Sequence, residues 1–232
     1  MKTEKSLKVF IILAMVLLIA NISIANVFAR RADNNFNRGM NLMSYSIEQD
    51  DLSQEEIEGM LLMREEEKLA RDVYTALYEK WNLRVFESIG QGSETAHMDA
   101  MKVLLDRYNL EDPVGDDIPG VFQNEELQKA YDELIEKGSK SIQDALLVGA
   151  HIEDLDIYDL QRLIEETEND DIKITYQNLL KGSRNHLRAF DRQLQRYNIS
   201  YDAQFLSQEE YDRIAASRQE SGGSITDPDY KF

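Results

Sequence analysis

The chain has 232 residues, 30% charged and 42% hydrophobic, enough for one buried core with appendages. Its 26 basic and 44 acidic residues leave a formal net charge of -18, which excludes a nucleic-acid partner bound by phosphate neutralisation and argues against anionic membrane surfaces. With no cysteine, disulfides, thiolate zinc sites, iron–sulfur clusters and cysteine nucleophiles are excluded together, so any metal must be held by oxygen and imidazole.

Lys2, Lys5 and Lys8 precede an unbroken run of twelve apolar residues at 9–20. That is short of the ~20 needed for a span, and Ser23 with Ala25, or Val27 with Ala29, supply sites for cleavage. Residues 1–29 are therefore expected to be a signal peptide, with a retained membrane anchor as the alternative; either places the domain outside the cytoplasm. Residues 30–50 read as a polar linker, 51–212 as the folded domain and 213–232 as a flexible C-terminal tail.

Ser53-Gln-Glu-Glu56 is a capping box and predicts a helix whose inward stripe is Met60, Met63, Glu67, Ala70, Tyr74, Leu77 and Trp81. Glu65 and Glu66 fall about 200° and 100° away around that helix and are expected on the solvated face. Residues 85–108 continue the pattern through Phe86, Gly90, Glu94, His97, Met101, Leu104 and Tyr108. Gly90-Gln-Gly92 predicts a distorted lead-in, with the dependable helix starting at Ser93. Residues 124–137 form a brief amphipathic helix expected to pack across the crossover. Ser141 caps the third long helix, whose stripe carries Glu153 and Asp156. Asp170 or Asp171 opens the fourth, carrying Ser183 and His186, with Gly182 a flaw beside them. A short helix begins at Ser207. The expected fold is all-α, a four-helix bundle with a short crossover helix and a short C-terminal helix.

Four carboxylates and two imidazoles thus converge on apolar stripes: Glu67, Glu94, His97, Glu153, Asp156 and His186. Burying them unpaired would cost on the order of several kcal/mol each, unless they neutralise one another or bind cations. Two divalent ions balance four carboxylates. Glu94 and His97, spaced i, i+3, share one helix face, as required for a carboxylate-bridged metal pair inside a bundle. The donor set suits iron or manganese, with zinc an alternative. His151 lies about 200° from Glu153 and is expected at the surface. Tyr74, Tyr108 and Tyr176 are expected to be core packing, although each could reach a ligand.

Glu67-Lys-Leu-Ala-Arg-Asp-Val-Tyr74 and Ser93-Glu94-Thr-Ala-His97 resemble the first and second metal helices of the ferritin-like superfamily, rubrerythrins especially. With Gly149-Ala-His-Ile-Glu153-Asp-Leu-Asp156 and Gly182-Ser-Arg-Asn-His186-Leu-Arg-Ala-Phe190, the chain resembles an uncharacterised prokaryotic ferritin-like family over residues 53–212. The resemblance implies a ferritin-like bundle with a di-metal site bridged by Glu94 and Glu153 and flanked by Glu67, His97, His186 and Asp156. Ser183 departs from the pattern, because the superfamily places a Glu ligand three residues before the last histidine. Asp156, one turn past Glu153, is expected to restore the carboxylate count.

Two classes of function follow. One is an exported di-iron oxidoreductase of ferroxidase or peroxidase type, using dioxygen or peroxide with an external electron donor, since no cysteine-based redox module is present. The other is a non-catalytic, metal-stabilised bundle acting as an envelope interaction module. A homodimer is compatible with both; a storage cage is not expected.

Overall fold

The computed structural model describes residues 50–232, so the signal peptide or anchor expected at 1–29 and all but the end of the expected linker lie outside the described residues. The described residues are helical and contain no strand, in agreement with an all-α fold. The elements are α1 (Gln54–Trp81), a single turn α2 (Arg84–Glu87), a π-helix (Ser88–Glu94), α3 (Thr95–Arg107), α4 (Glu125–Gly138), α5 (Ile142–Glu166), α6 (Asp170–Arg196) and α7 (Gln208–Ala216). None of these helices is long and apolar enough to cross a membrane.

Local chemistry sets the boundaries. The Ser53 hydroxyl accepts from Glu56 N at 3.1 Å while Ser53 N donates to Glu56 Oε2 at 2.9 Å, a complete capping box. Glu56 also accepts from the Thr167 hydroxyl and, at 2.9 Å, from Asn169 Nδ2, tying the start of α1 to the turn between α5 and α6. Asn82, at φ 53°, closes α1 in the left-handed conformation. Ser141 caps α5 as expected, and α6 opens at Asp170, one of the two expected positions, with Asn169 as its N-cap residue.

Helices α1, α3, α6 and α5 form a closed circuit of neighbours, and α4 lies across α1 and α5. Met60, Met63, Leu77, Met101, Leu160 and Phe190 fill the space inside it and are almost wholly excluded from solvent. Each such side chain contributes roughly 1.5–3 kcal/mol of burial. Phe190, Tyr74 and Phe86 meet as tilted rings 5.2–5.9 Å apart. Gly149 lets the Phe190 ring lie directly on the α5 backbone, where a Cβ would overlap it.

Two expectations are corrected. Glu65 does not face solvent: it is 4% exposed and accepts from Gln123 N and Asn124 N at 2.6 and 3.1 Å, because the loop entering α4 folds over this side of α1. The same loop buries Lys68, which donates to Asp72 at 2.6 Å and to the Ile118 carbonyl at 2.8 Å. The C-terminal segment is docked along α6 rather than free. Asn178 and Ile225 exchange two hydrogen bonds of 2.8 and 3.0 Å, Gln177 donates to the Pro228 carbonyl, and Glu220 pairs with Arg184 and Arg188. The domain does not stop at residue 212 either, because Ile214 on α7 is fully buried.

Candidate metal centre

Each helix of the circuit contributes to one cluster: Glu67 from α1, Glu94 and His97 from the π-helix and α3, Glu153 and Asp156 from α5, His186 and Ser183 from α6, all of them buried except Asp156, which is half-buried. Glu94 ends the π-helix, so the wide turn sets where its carboxylate points. The Thr95 hydroxyl donates to the Gly90 carbonyl at 3.3 Å, occupying an acceptor that the wide turn frees from the regular ladder. Gly90 in turn lies against Tyr74, where a Cβ would come within 2.9 Å of the tyrosine Cβ. The expected distortion before Ser93 is this π-helix.

Glu94 presents one oxygen to each histidine: Oε2 is 3.0 Å from His97 Nδ1 and Oε1 is 3.0 Å from His186 Nδ1. Glu67 Oε2 lies 3.1 Å from His97 Nδ1, and Glu153 Oε2 lies 3.3 Å from His186 Nδ1. Of the cluster carboxylates, only Glu94 faces both imidazoles, so Glu153 sits on one side of the centre rather than between its halves. The two rings stack with centroids 5.4 Å apart. The Ser183 hydroxyl donates to the Leu179 carbonyl at 3.0 Å and is near enough to Asp156 to offset in part the burial and the Glu67 and Glu153 charges that raise its carboxyl. The residue at the departing position is therefore a neighbour of the aspartate expected to stand in for it.

The surroundings orient these groups. Tyr74 donates its hydroxyl to Glu153 Oε1 at 2.5 Å, and Ser93 Oγ lies 2.7 Å from His186 Nε2. With Nε2 directed at Ser93, the His186 ring turns Nδ1 inward, toward the carboxylates of Glu94 and Glu153. Gly182 leaves room for the His97 ring, which a Cβ would overlap. Tyr74 is thus more than core packing, whereas Tyr108 serves Asp171 on α6, at 2.8 Å.

Burial and mutual charge perturb every member. Burial opposes charge on His186, but Glu94 and Glu153 outweigh it and push its pKa up to about 10. His97 is raised in the same way, burial being overcome by Glu67 and Glu94. Burial raises Glu67, Glu153 and Asp156, while for Glu94 it is overridden by the two imidazoles, which hold its carboxyl far below the usual range. This is a strongly coupled cluster of the kind concentrated at functional sites.

The residues fit a metal. Glu67 Oε1 and His186 Nδ1 are buried without a hydrogen-bond partner, and ligand atoms of Glu94, His97 and His186 all lie within 4.8 Å of one another. Converging carboxylate oxygens and imidazole nitrogens are donor types that iron, manganese and zinc accept.

His151 is half-buried rather than at the surface, its Nδ1 3.3 Å from the Tyr201 hydroxyl, because the turn after α6 covers it. Glu66 is likewise half-buried, with Oε2 inaccessible and unpartnered.

These features define an all-helical protein whose interior is organised around carboxylate and imidazole groups. The chain belongs to the family described as an uncharacterized protein domain, DUF2202, whose model matches residues 56–218. It is 54% identical over 177 residues to the uncharacterized protein MJ0754 of Methanocaldococcus jannaschii, covering 76% of this chain and 95% of that protein. The crystal structure of hypothetical protein MJ0754 from Methanococcus jannaschii matches with a TM-score of 0.73, over 75% of this chain and 99% of that one.

Proposed function

We propose that the protein is a ferritin-like four-helix bundle holding a carboxylate-bridged pair of divalent ions, iron first among them, for oxidoreductase chemistry of ferroxidase or peroxidase type. The observation that carries this reading is Glu94, with one oxygen turned to each of two inward-facing imidazoles. Glu67 and His97 would hold one ion, Glu153 and His186 the other, with Glu94 between them and Asp156 as the fourth carboxylate. Such a pair, when bound, supplies electron exchange with dioxygen or peroxide.

The protein's own groups hold the geometry. Tyr74 orients Glu153 through its hydroxyl, and Ser93 orients the ring of His186. With no cysteine in the chain, a reductant must come from an external donor. The lysine-flanked apolar segment at 1–29 supports an extracytoplasmic protein, secreted or anchored, and N-terminal sequencing of the mature protein tests this.

Metal analysis of protein purified without added metal tests the centre itself. About two iron or manganese ions per chain, with repeated oxidation of added ferrous iron or consumption of peroxide, is the expected result. Single uptake without turnover would instead favour the metal-stabilised interaction module. No metal and no anaerobic uptake of ferrous iron would overturn the reading.

A further inference from the structure

A cavity of about 260 Å³ opens between α1, α4 and α5 and ends on the metal centre, where Glu67, Glu94, Glu153 and Asp156 form its inner wall. Much of the remaining lining is aliphatic, Leu69 and Ala70 from α1, Leu127, Ala130 and Leu134 from α4, and Ile152 from α5, while the exposed Glu133 and Lys137 of α4 stand at the solvent side. The crossover helix α4 is thus one wall of a passage to the buried cluster. Two carboxyl oxygens of lining residues, Glu66 Oε2 and Glu67 Oε1, are buried without a hydrogen-bond partner.

We propose that this cavity binds one small uncharged organic molecule, apolar in body and carrying a single polar head that reaches the carboxylates at its inner end. Size sets the upper limit. A cavity of about 150 Å³ with aliphatic walls accommodates benzene, so 260 Å³ takes one ring with a short substituent, or a short chain, and no peptide or sugar polymer. Charge sets the class: outside the cluster Lys137 stands against Glu66 and Glu133, and the four inner carboxylates are no more than balanced by the two divalent ions proposed for them, so no net cation is left to hold a carboxylate or phosphate. Apolar walls with a few convergent polar atoms are the arrangement that fixes such a molecule's orientation. That this molecule is the centre's organic substrate rests on the metal-centre reading proposed above; its binding in the cavity does not.

Benzyl alcohol, with glycerol as the polar control, is the probe. Methyl NMR of the purified protein should show saturable shifts confined to Leu69, Leu127, Leu134 and Ile152, with and without metal, and none with glycerol. Ala130→Trp, on the partly exposed face of α4, should weaken binding at least tenfold with helix content and metal content unchanged; Leu134→Phe provides a milder second block. The proposal is overturned if wild-type protein carrying its metals shows no saturable shift, or if the shifts persist in a folded Ala130→Trp protein. Saturable binding in a protein that takes up no metal would uphold the cavity and overturn the metal centre alone.

Discussion

Gly182 lies against the His97 imidazole so closely that a Cβ on it would overlap Nε2. A glycine inside a helix is ordinarily a weakness of about 0.5–1 kcal/mol relative to alanine. Gly182→Ala should therefore reverse the usual sign, displacing the ring, leaving helix content intact and weakening metal uptake about tenfold or more. Metal titration alongside circular dichroism checks this, and wild-type uptake in the alanine variant would show that the ring has room elsewhere.

Because Glu94 alone faces both imidazoles, its loss should be felt on both sides of the centre. Glu94→Ala is expected to bring metal content near zero, while Glu153→Ala, on the His186 side only, should leave about one ion per chain. Equal losses from the two variants would argue against Glu94 as the bridge.

Tyr74 does not face the imidazoles but holds Glu153 through its hydroxyl. Tyr74→Phe keeps the ring packing against Phe86 and Phe190 and removes only that donor. Metal affinity should fall roughly 10–100-fold with little change in folding, measured by competition against a chelator.

The nearness of Asp156 to Ser183 offers a rescue experiment. Asp156→Ala should lower metal content, and adding Ser183→Glu, which supplies a carboxylate from α6 instead, should restore it. If the single variant already keeps its full complement, Asp156 has no place among the ligands.

A pH effect is expected at the docked C-terminal segment. Burial would raise the Glu220 carboxyl, but pairing with Arg184 and Arg188 outweighs it and holds the group below its ordinary range. A carboxyl depressed on folding contributes stability above its unfolded pKa of roughly 4.3, lost as pH falls through the folded value. Hydrogen exchange across residues 217–232 should accelerate in that acidic window, and Glu220→Gln should show the fast exchange already at neutral pH.

Helical periodicity made the inward residues legible. It placed Glu67, Glu94, His97, Glu153, Asp156 and His186 on stripes that the structure brings to one cluster, since spacing along a helix fixes which side chains share a face. Periodicity carries no information about what covers the opposite face. Glu65, which reads as solvated, is buried with Lys68 by a loop some fifty residues away, and Arg188 is covered by the C-terminal segment. The tail's Gly-Gly-Ser composition likewise concealed its docking, because Gln177 and Asn178 hold it through its backbone, which composition does not describe. Ser93 and Gly182 carried no signal beyond adjacency to the stripe.

For the proposed metal centre, the π-helix is the element at which opening is expected to start. Its wide turn includes two glycines and forgoes regular α-helical pairing, so opening there needs less free energy than parting the packed helices. Glu94 closes that turn. Exchange of a metal ion with solvent would then follow the breathing of seven residues, not the unfolding of the molecule, so that a kinetically labile centre could sit inside a thermodynamically robust scaffold.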